Sequence, residues 1–294
     1  MAKTVSTKPP SLFRLFLREL KHDYFALVGS ILLILLLLAI FIGAIYVEAT
    51  YDVMRVSPSP LPISPEASGT PLGLDALGRN QFHLLFVSAR NTLYLTFAIT
   101  FFSFLIGVIV GVISGFYGGR IDNMIMRITD TWAMLPVIMI VIVLLVVYGR
   151  TPINFIIFFT LFTWVGRARL IRAATLSQRQ MDYVSASKTL GTRNITIMVR
   201  EILPNLVDVA VANFVLTLAA NVGIETGLSL LGFGMGWDYP SLGVMMQNAV
   251  NPMFLQHFWW VWAPALVLVL LLMLCVNFIG NALQREADPR QRFA

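Results

Sequence analysis

The chain contains 294 residues, of which 57% are hydrophobic and only 12% are charged. Because soluble globular domains carry about 25% charged residues, this composition excludes an ordinary soluble domain. Apolar runs of about 20 residues predict an all-α integral membrane protein rather than a barrel. The net charge of +6 does not indicate nucleic-acid binding, because the basic residues are concentrated in loops on one side of the predicted spans.

Few residues of this sequence suit catalysis or metal binding. The single Cys275 excludes an internal disulfide and a cysteine-based metal cluster. His22, His83 and His257 are far apart and form no His-x-x-x-His pair, which disfavours a metal site. The sequence contains no Walker A stretch, no His-Glu-x-x-His motif and no Gly-x-Ser-x-Gly motif. We therefore predict no catalytic, metal-binding or cofactor-binding residue, and no ATP hydrolysis by this chain.

Residues 1–47 predict a basic tail followed by a membrane span. Within a cytoplasmic tail over 1–23, residues 11–25 separate apolar from charged side chains, which predicts an amphipathic helix in the membrane interface. A plain basic flank of the first span is the alternative. Residues 24–47 contain no charge. The apolar region of a signal peptide would be about 7–15 residues long, so we expect an uncleaved first span.

The rest of the chain is predicted to form an external loop and a five-helix core. Residues 48–90 are polar and proline-rich, residues 91–284 hold the core, and residues 285–294 form a second cytoplasmic tail. We expect spans over residues 91–119, 131–148, 153–165, 203–224 and 257–284, with a charged connector at 120–130 and a cytoplasmic loop at 166–202.

Glycines recur every four residues along the second span, at Gly107, Gly111, Gly115 and Gly119. Such spacing places small residues on one helix face, and membrane helices approach each other closely at such a face. We predict helix packing there; a face that slides during gating is the alternative.

The basic residues predict the orientation of the six spans. An even number of spans puts both termini on one side of the membrane. With the N-terminus in the cytoplasm, four of the 21 lysine and arginine residues fall outside: Arg55, Arg79, Arg90 and Arg150. The positive-inside rule therefore favours cytoplasmic termini and a cytoplasmic 166–202 loop.

Residues 183–204 predict a helix, a glycine turn and a second helix. Small residues stand together at 185–187, and Gly191 suits the left-handed position after a helix end. Thr192 and Asn194 are candidate N-caps of the next helix. Pro204 suits the first turn of a helix.

This stretch resembles the "EAA loop" of ABC-importer permeases: Glu-Ala-Ala, three residues, Gly, and a closing Leu-Pro. Ser185, Ala186 and Ser187 stand for Glu-Ala-Ala, and Gly191, Leu203 and Pro204 match the rest. In that family the loop forms a coupling helix that docks in a groove of the ATPase subunit. The resemblance therefore implies that these six residues couple the chain to an ATPase, although serine replaces two of the three name-giving residues.

Three further motifs resemble one subgroup, the dipeptide, oligopeptide and nickel importer permeases. They lie at residues 71–80 (Pro-Leu-Gly-Leu-Asp-Ala-Leu-Gly-Arg-Asn), 225–234 and 280–290. Residues 226–237 are too short and too rich in glycine to span a membrane, so we predict a re-entrant or gate-like outer segment. Its candidate residues are Glu225, Leu228, Ser229, Gly232 and Gly234. An ionisable residue at membrane depth is by default functional, but we favour a solvated Glu225 that caps this segment at the outer interface.

The resemblance implies a type I ABC-importer permease fold, of the second-permease type in oligopeptide importers. It implies as partners a second permease chain, two ABC ATPases that use ATP with Mg, an external substrate-binding protein and the lipid bilayer, with no nucleic acid. The expected location is the cell membrane of a prokaryote. We favour oligopeptides over dipeptides as substrate and keep nickel or another small solute as the alternative. An ion-coupled secondary transporter is the alternative from another class, and it would need intramembrane acids.

Overall fold

The computed structural model describes residues 23–54, 57, 59 and 61–287, and this part of the chain is helical, with two isolated antiparallel bridges in place of strands. The expected interfacial helix over 11–25 lies almost entirely outside the described residues. In chain order the helices are α1 Tyr24–Thr50, α2 Pro65–Ser68, α3 Gln81–Tyr117, α4 Gly119–Ala133, α5 Val137–Tyr148, α6 Pro152–Arg179, α7 Asp182–Thr189, α8 Asn194–Ile197, α9 Leu203–Asn205, α10 Val207–Leu230, α11 Leu242–Met246, α12 Pro252–His257 and α13 Trp259–Ala287.

Five of these helices, α1, α3, α6, α10 and α13, are long and apolar enough to cross a membrane. Together α4 and α5 would make a sixth span, bent by 71° at the break between them. Pro136 lies at this break; it lacks an N–H and disfavours helical backbone in the residue before it. The prediction of six spans is thus confirmed, with one of them broken.

The helices extend beyond the spans expected from hydropathy. Helix α3 begins at Gln81 rather than near residue 91, and the Asn80 side chain caps it by accepting from the N–H of Phe82. Its 37 residues measure roughly 55 Å, whereas the hydrocarbon core is about 30 Å thick. Helix α6 likewise continues to Arg179, past the predicted end at residue 165. Apolar content marks the part of a helix inside the membrane, and the hydrogen-bonded helix continues into polar sequence.

The expected connector at 120–130 is wrong: these residues belong to helix α4. This helix is amphipathic, with exposed Ile121, Met124 and Ile128 and a buried Asp122. Its charged residues suggested a connector, but spacing of the apolar residues by three and four suits a helix with one apolar face.

The glycine face of α3 packs against α6, as predicted for three of the four glycines. A Cβ on Gly107 would lie 2.5 Å from the Cβ of Arg167, and one on Gly111 would lie 2.7 Å from the Ala168 carbonyl oxygen. Gly115 meets Thr175 in the same way. Gly119 is different, since nothing lies within 4 Å of its Cβ position. It is the first residue of helix α4 and has a φ of +56°.

Candidate functional site: the coupling loop and the outer segment

Helix α7 ends in the glycine turn that the sequence predicts. Gly191 has a φ of +76°, its N–H donates to the carbonyl of Lys188, and the Thr192 N–H donates to the carbonyl of Ser187, each at 3.0 Å. This pair of bonds is the Schellman arrangement, which favours glycine at the left-handed position. The predicted caps Thr192 and Asn194 are wrong: Arg193 precedes α8 and no side chain caps it.

The predicted coupling residues separate into exposed and half-buried ones. Ser185, Ala186 and Gly191 are exposed, and no atom lies within 4 Å of a Cβ placed on Gly191. Ser187 is half-buried, and its Oγ donates to Oε1 of Glu201 at 2.8 Å. This bond joins α7 to the second helix of the loop, which sequence spacing did not reveal.

The remaining two coupling residues lie where the second helix joins α10. Leu203 is half-buried and Pro204 is exposed. The five residues before them, Met198–Ile202, form a π-helical turn, which the N–H of Leu203 closes by donating to the Met198 carbonyl. Because Pro204 has no N–H to donate, the widened turn lies where the regular helical ladder is already interrupted.

Buried side chains attach this loop to the membrane helices. Val184, Ile197 and Ile202 are fully buried in a cluster that also contains Phe116 of α3 and Ile171 of α6. The loop is therefore packed against the ends of both helices, so that displacement of its surface would be transmitted to α3 and α6.

Large apolar side chains remain exposed on the same loop. Leu190 is 83% exposed and Ile195 is 65% exposed. Leu190 follows Ala186 by four residues, so the two side chains lie along one side of α7 and its end. We call Ser185, Ala186, Leu190, Gly191 and Ile195 the coupling surface. Sequence reasoning missed Leu190 and Ile195, although apolar residues in so basic a loop were a usable signal.

Two ion pairs connect the bent span to α6 beside the loop. Arg172 binds Asp122 of α4 through two bonds, Nε to Oδ1 at 2.5 Å and Nη2 to Oδ2 at 2.6 Å. Arg169 binds Asp130 at 2.6 Å in a far more exposed position. Bidentate pairing fixes geometry as well as charge, so the Asp122 pair sets the position of α4 more strongly.

The structure contradicts the solvated position favoured for Glu225. Helix α10 continues through Glu225 to Leu230, beyond the expected end at residue 224, and only 1% of Glu225 is exposed. Its carboxyl oxygens accept hydrogen bonds from Ser229 at 2.9 Å and from Thr92 of α3 at 3.2 Å. Hydropathy could not reveal this environment, because Thr92 of α3 reaches the acid from far away in sequence.

The other residues of the 225–234 motif surround this acid and end its helix. Leu228 and Ser229 are buried. Gly232 has a φ of +81°, and a second Schellman arrangement forms as its N–H donates to the carbonyl of Ser229 and the Phe233 N–H donates to that of Leu228. Gly234 lies directly against Ser229, with no room for a Cβ. The motif thus ends helix α10 and leads the chain into residues 231–246, which we call the outer segment.

The motif at residues 71–80 contacts the outer segment. Arg79 is buried, binds Asp75 at 2.8 Å and lies 5.8 Å above the ring of Trp237. Asn91 of α3 donates to the carbonyl of Pro240 at 2.9 Å. Two motifs that are far apart in sequence therefore lie together in the fold. Among the described residues, no group of three or more His, Cys, Asp or Glu side chains could hold a metal ion.

Known proteins are similar to this chain both in sequence and in architecture. The family described as "Binding-protein-dependent transport system inner membrane component" matches residues 107–293. The chain is 41% identical over 282 residues to the oligopeptide transport system permease protein OppC of Lactococcus lactis subsp. cremoris (strain SK11), covering 96% of each chain. It is 34% identical over 275 residues to the dipeptide transport system permease protein DppC of Bacillus subtilis (strain 168), covering 94% of this chain and 85% of that protein.

A solved structure of the MetNI methionine ABC transporter, in an inward-facing conformation, has the same fold. It matches with a TM-score of 0.55 and 24% identity over 70% of this chain and 97% of that chain. The chain belongs to the binding-protein-dependent transport system inner membrane component family, whose members are permease subunits of ABC importers. The resemblance drawn from the motifs and the predicted type I permease fold are both confirmed.

Proposed function

We propose that this chain forms half of the translocation path of a peptide importer. The observation that carries the proposal is identity along almost the whole chain to two permeases that are named for oligopeptide and dipeptide transport. Oligopeptides are favoured, because the oligopeptide permease is the more similar of these two. The other half of the path is a second, related permease chain, and an external binding protein delivers the peptide.

The coupling surface is the proposed docking site of an ABC ATPase. Its small residues allow close approach, and Leu190 and Ile195 provide apolar area that would otherwise face water. Since buried residues fix the loop to α3 and α6, closure of the ATPases around ATP with Mg would move both membrane helices. The assignment of Ser185, Ala186, Ser187, Gly191, Leu203 and Pro204 to coupling rests on this geometry and on the spacing of the motif.

The proposed setting is the cell membrane of a prokaryote, with both termini and the coupling surface in the cytoplasm. The outer segment then faces the outside, where Glu225, Leu228, Ser229, Gly232 and Gly234 form the base of an outer gate. The acidic residue does not by itself imply ion coupling, because its oxygens are already occupied by hydroxyl groups.

Purification of the tagged chain from its native membrane in mild detergent tests this assembly. We expect a second permease chain and one or two ATPases to co-purify, and the recovery of ATPase to fall when Gly191 is replaced by Trp. Gly69→Trp is the matched control, since Gly69 also has a positive φ and open space at its Cβ position but lies outside the loop. ATPases retained by Gly191→Trp would contradict the docking site.

A competition experiment between substrates then distinguishes a peptide importer from a nickel importer. Reconstituted complex should take up a labelled oligopeptide, and unlabelled oligopeptide should compete better than dipeptide. Competition by nickel ions but not by peptides would contradict the peptide assignment and support the small-solute alternative.

A further inference from the structure

Glu225 is a buried acid without a cation. Only 1% of it is exposed, and no salt bridge involving it occurs among the described residues. Burying a carboxyl group costs free energy unless its oxygens are hydrogen-bonded. The groups that form hydrogen bonds with Glu225 therefore matter, because they offset the cost of burying it.

Two hydroxyl groups connect Glu225 to the backbone of the outer segment. Thr92 donates to Oε2 of Glu225 at 3.2 Å and accepts the N–H of Leu242 at 3.0 Å. Ser229 donates to Oε1 at 2.9 Å and accepts the N–H of Met235 at 3.4 Å. Each hydroxyl group thus accepts a hydrogen bond from a backbone N–H of the segment and donates a hydrogen bond to the carboxyl group of Glu225.

A third hydroxyl completes the arrangement. The Ser241 hydroxyl is near the Glu225 carboxyl and accepts the N–H of Val244 at 3.3 Å. Ser241 caps helix α11, so the start of that helix is held at the acid as well. Through Thr92 and Ser229, one carboxyl group is therefore connected to two points of the outer segment, the N–H groups of residues 235 and 242.

Glycines allow this close approach. A Cβ on Gly243 would lie 2.7 Å from the Thr226 carbonyl oxygen and even closer to the Ser229 side chain. The segment is therefore seated directly on α10, with no side chain between the two backbones.

We propose that Glu225 is a positioning residue that holds the outer segment shut, acting through Thr92 and Ser229. The proposal rests on the outer-gate role proposed above, and it adds the group that sets how easily the gate opens. This arrangement needs a side chain that accepts a hydrogen bond on each of two oxygens. The reason is that each hydroxyl group already accepts a backbone N–H and has its own hydrogen to donate. Glutamine accepts on one side only, so its NH2 group would leave one hydroxyl hydrogen without a partner.

Labelling of a reporter cysteine measures how often the segment opens. Val244 is buried in α11, and we would replace it by Cys in a Cys275→Ala background and add a membrane-impermeant thiol reagent from outside. Measurements use the assembled complex in proteoliposomes. Thr92→Val removes the hydroxyl but keeps the shape, and Thr92→Ser keeps the hydroxyl. Thr96→Val is the matched control, since the Thr96 hydroxyl is equally buried but bonds its own helix at the Thr92 carbonyl.

We expect Glu225→Gln and Thr92→Val each to speed labelling by about tenfold, and ATP hydrolysis without peptide to rise with it. Thr92→Ser and Thr96→Val should match the parent. Unchanged labelling in Thr92→Val, or equal acceleration in Thr96→Val, would overturn the proposal even if Glu225→Gln fails to assemble. Failure of the parent complex to import peptide would instead overturn the proposed function, so the two failures are distinguishable.

Discussion

Gly111 of α3 lies against the backbone of Ala168 in α6, so closely that a Cβ would meet the Ala168 carbonyl oxygen at 2.7 Å. This contact lies between the two helices against which the 183–204 loop packs, and through which the proposed coupling would act. The glycine face is therefore needed for packing, and its position makes it sensitive to a single added methyl group.

We expect Gly111→Ala to lower the stability of the protein by about 1–3 kcal/mol, the usual cost of overpacking. Gly166→Ala should be neutral or stabilising, because Gly166 lies within the same α6 helix with nothing within 4 Å of its Cβ position. Thermal unfolding in detergent measures both. Equal melting temperatures for the two variants would contradict the packing role.

Arg172→Gln should destabilise the protein by about 1.5–3 kcal/mol, because it removes two charge-assisted bonds from a buried Asp122. Arg169→Gln should cost at most about 1 kcal/mol, since both members of that pair are exposed. The comparison of denaturation midpoints at low and high salt checks this ranking, and only the Arg169 pair should weaken strongly with salt. A reversed order would show that α4 is held mainly by its apolar face.

Ser187→Ala should reduce peptide-stimulated ATP hydrolysis several-fold by freeing α7 from the second helix of the loop, since it deletes the bond to Glu201. Thr189→Val is the control, because the Thr189 hydroxyl donates to the Ser185 carbonyl of its own helix and does not join α7 to Glu201. Hydrolysis rates of purified complexes measure the effect. A loss of similar size in both variants would indicate that the loop responds to any lost hydroxyl.

We expect the Asp23 carboxyl, at the start of α1, to contribute to the free energy of unfolding in a pH-dependent way. Hydrogen bonds from the Ala26 and Phe25 N–H groups, together with Arg285, lower the pKa of this carboxyl. Because the folded-state pKa lies below the unfolded one, the stabilisation is complete above the ordinary value of about 4 and is lost as pH falls through the folded pKa. The melting temperatures of wild type and Asp23→Ala should therefore differ at pH 7 and converge as pH falls below 4. A gap that stays constant would contradict the ionic contribution.

Much of the architecture follows from local sequence. Apolar runs predicted the spans, the spacing of Gly107, Gly111 and Gly115 predicted a packing face, and Gly191 predicted a helix end. Helix ends were less accurate, because capping and helical hydrogen bonds carry α3 and α6 past the apolar sequence. Residues 120–130 were misread as a connector since their charges hid an amphipathic pattern.

The environment of Glu225 could not be predicted from its neighbours in sequence. Thr92 precedes it by more than a hundred residues, and only the packing of α3 on α10 brings the two together. The same holds for Arg172 and Asp122, which appear in the sequence as separate loop charges. Long-range polar pairs depend on the completed fold, whereas periodicity reports single helices.

We propose that ATP hydrolysis by partner subunits drives peptide import through this chain. Proteoliposomes holding the assembled complex, ATP inside and binding protein with labelled oligopeptide outside, test it most directly. We predict uptake that is lost without ATP and in Gly191→Trp, unchanged in Gly69→Trp, and insensitive to an uncoupler. Uptake that persists without ATP and collapses with the uncoupler would contradict the account and indicate an ion-coupled secondary transporter.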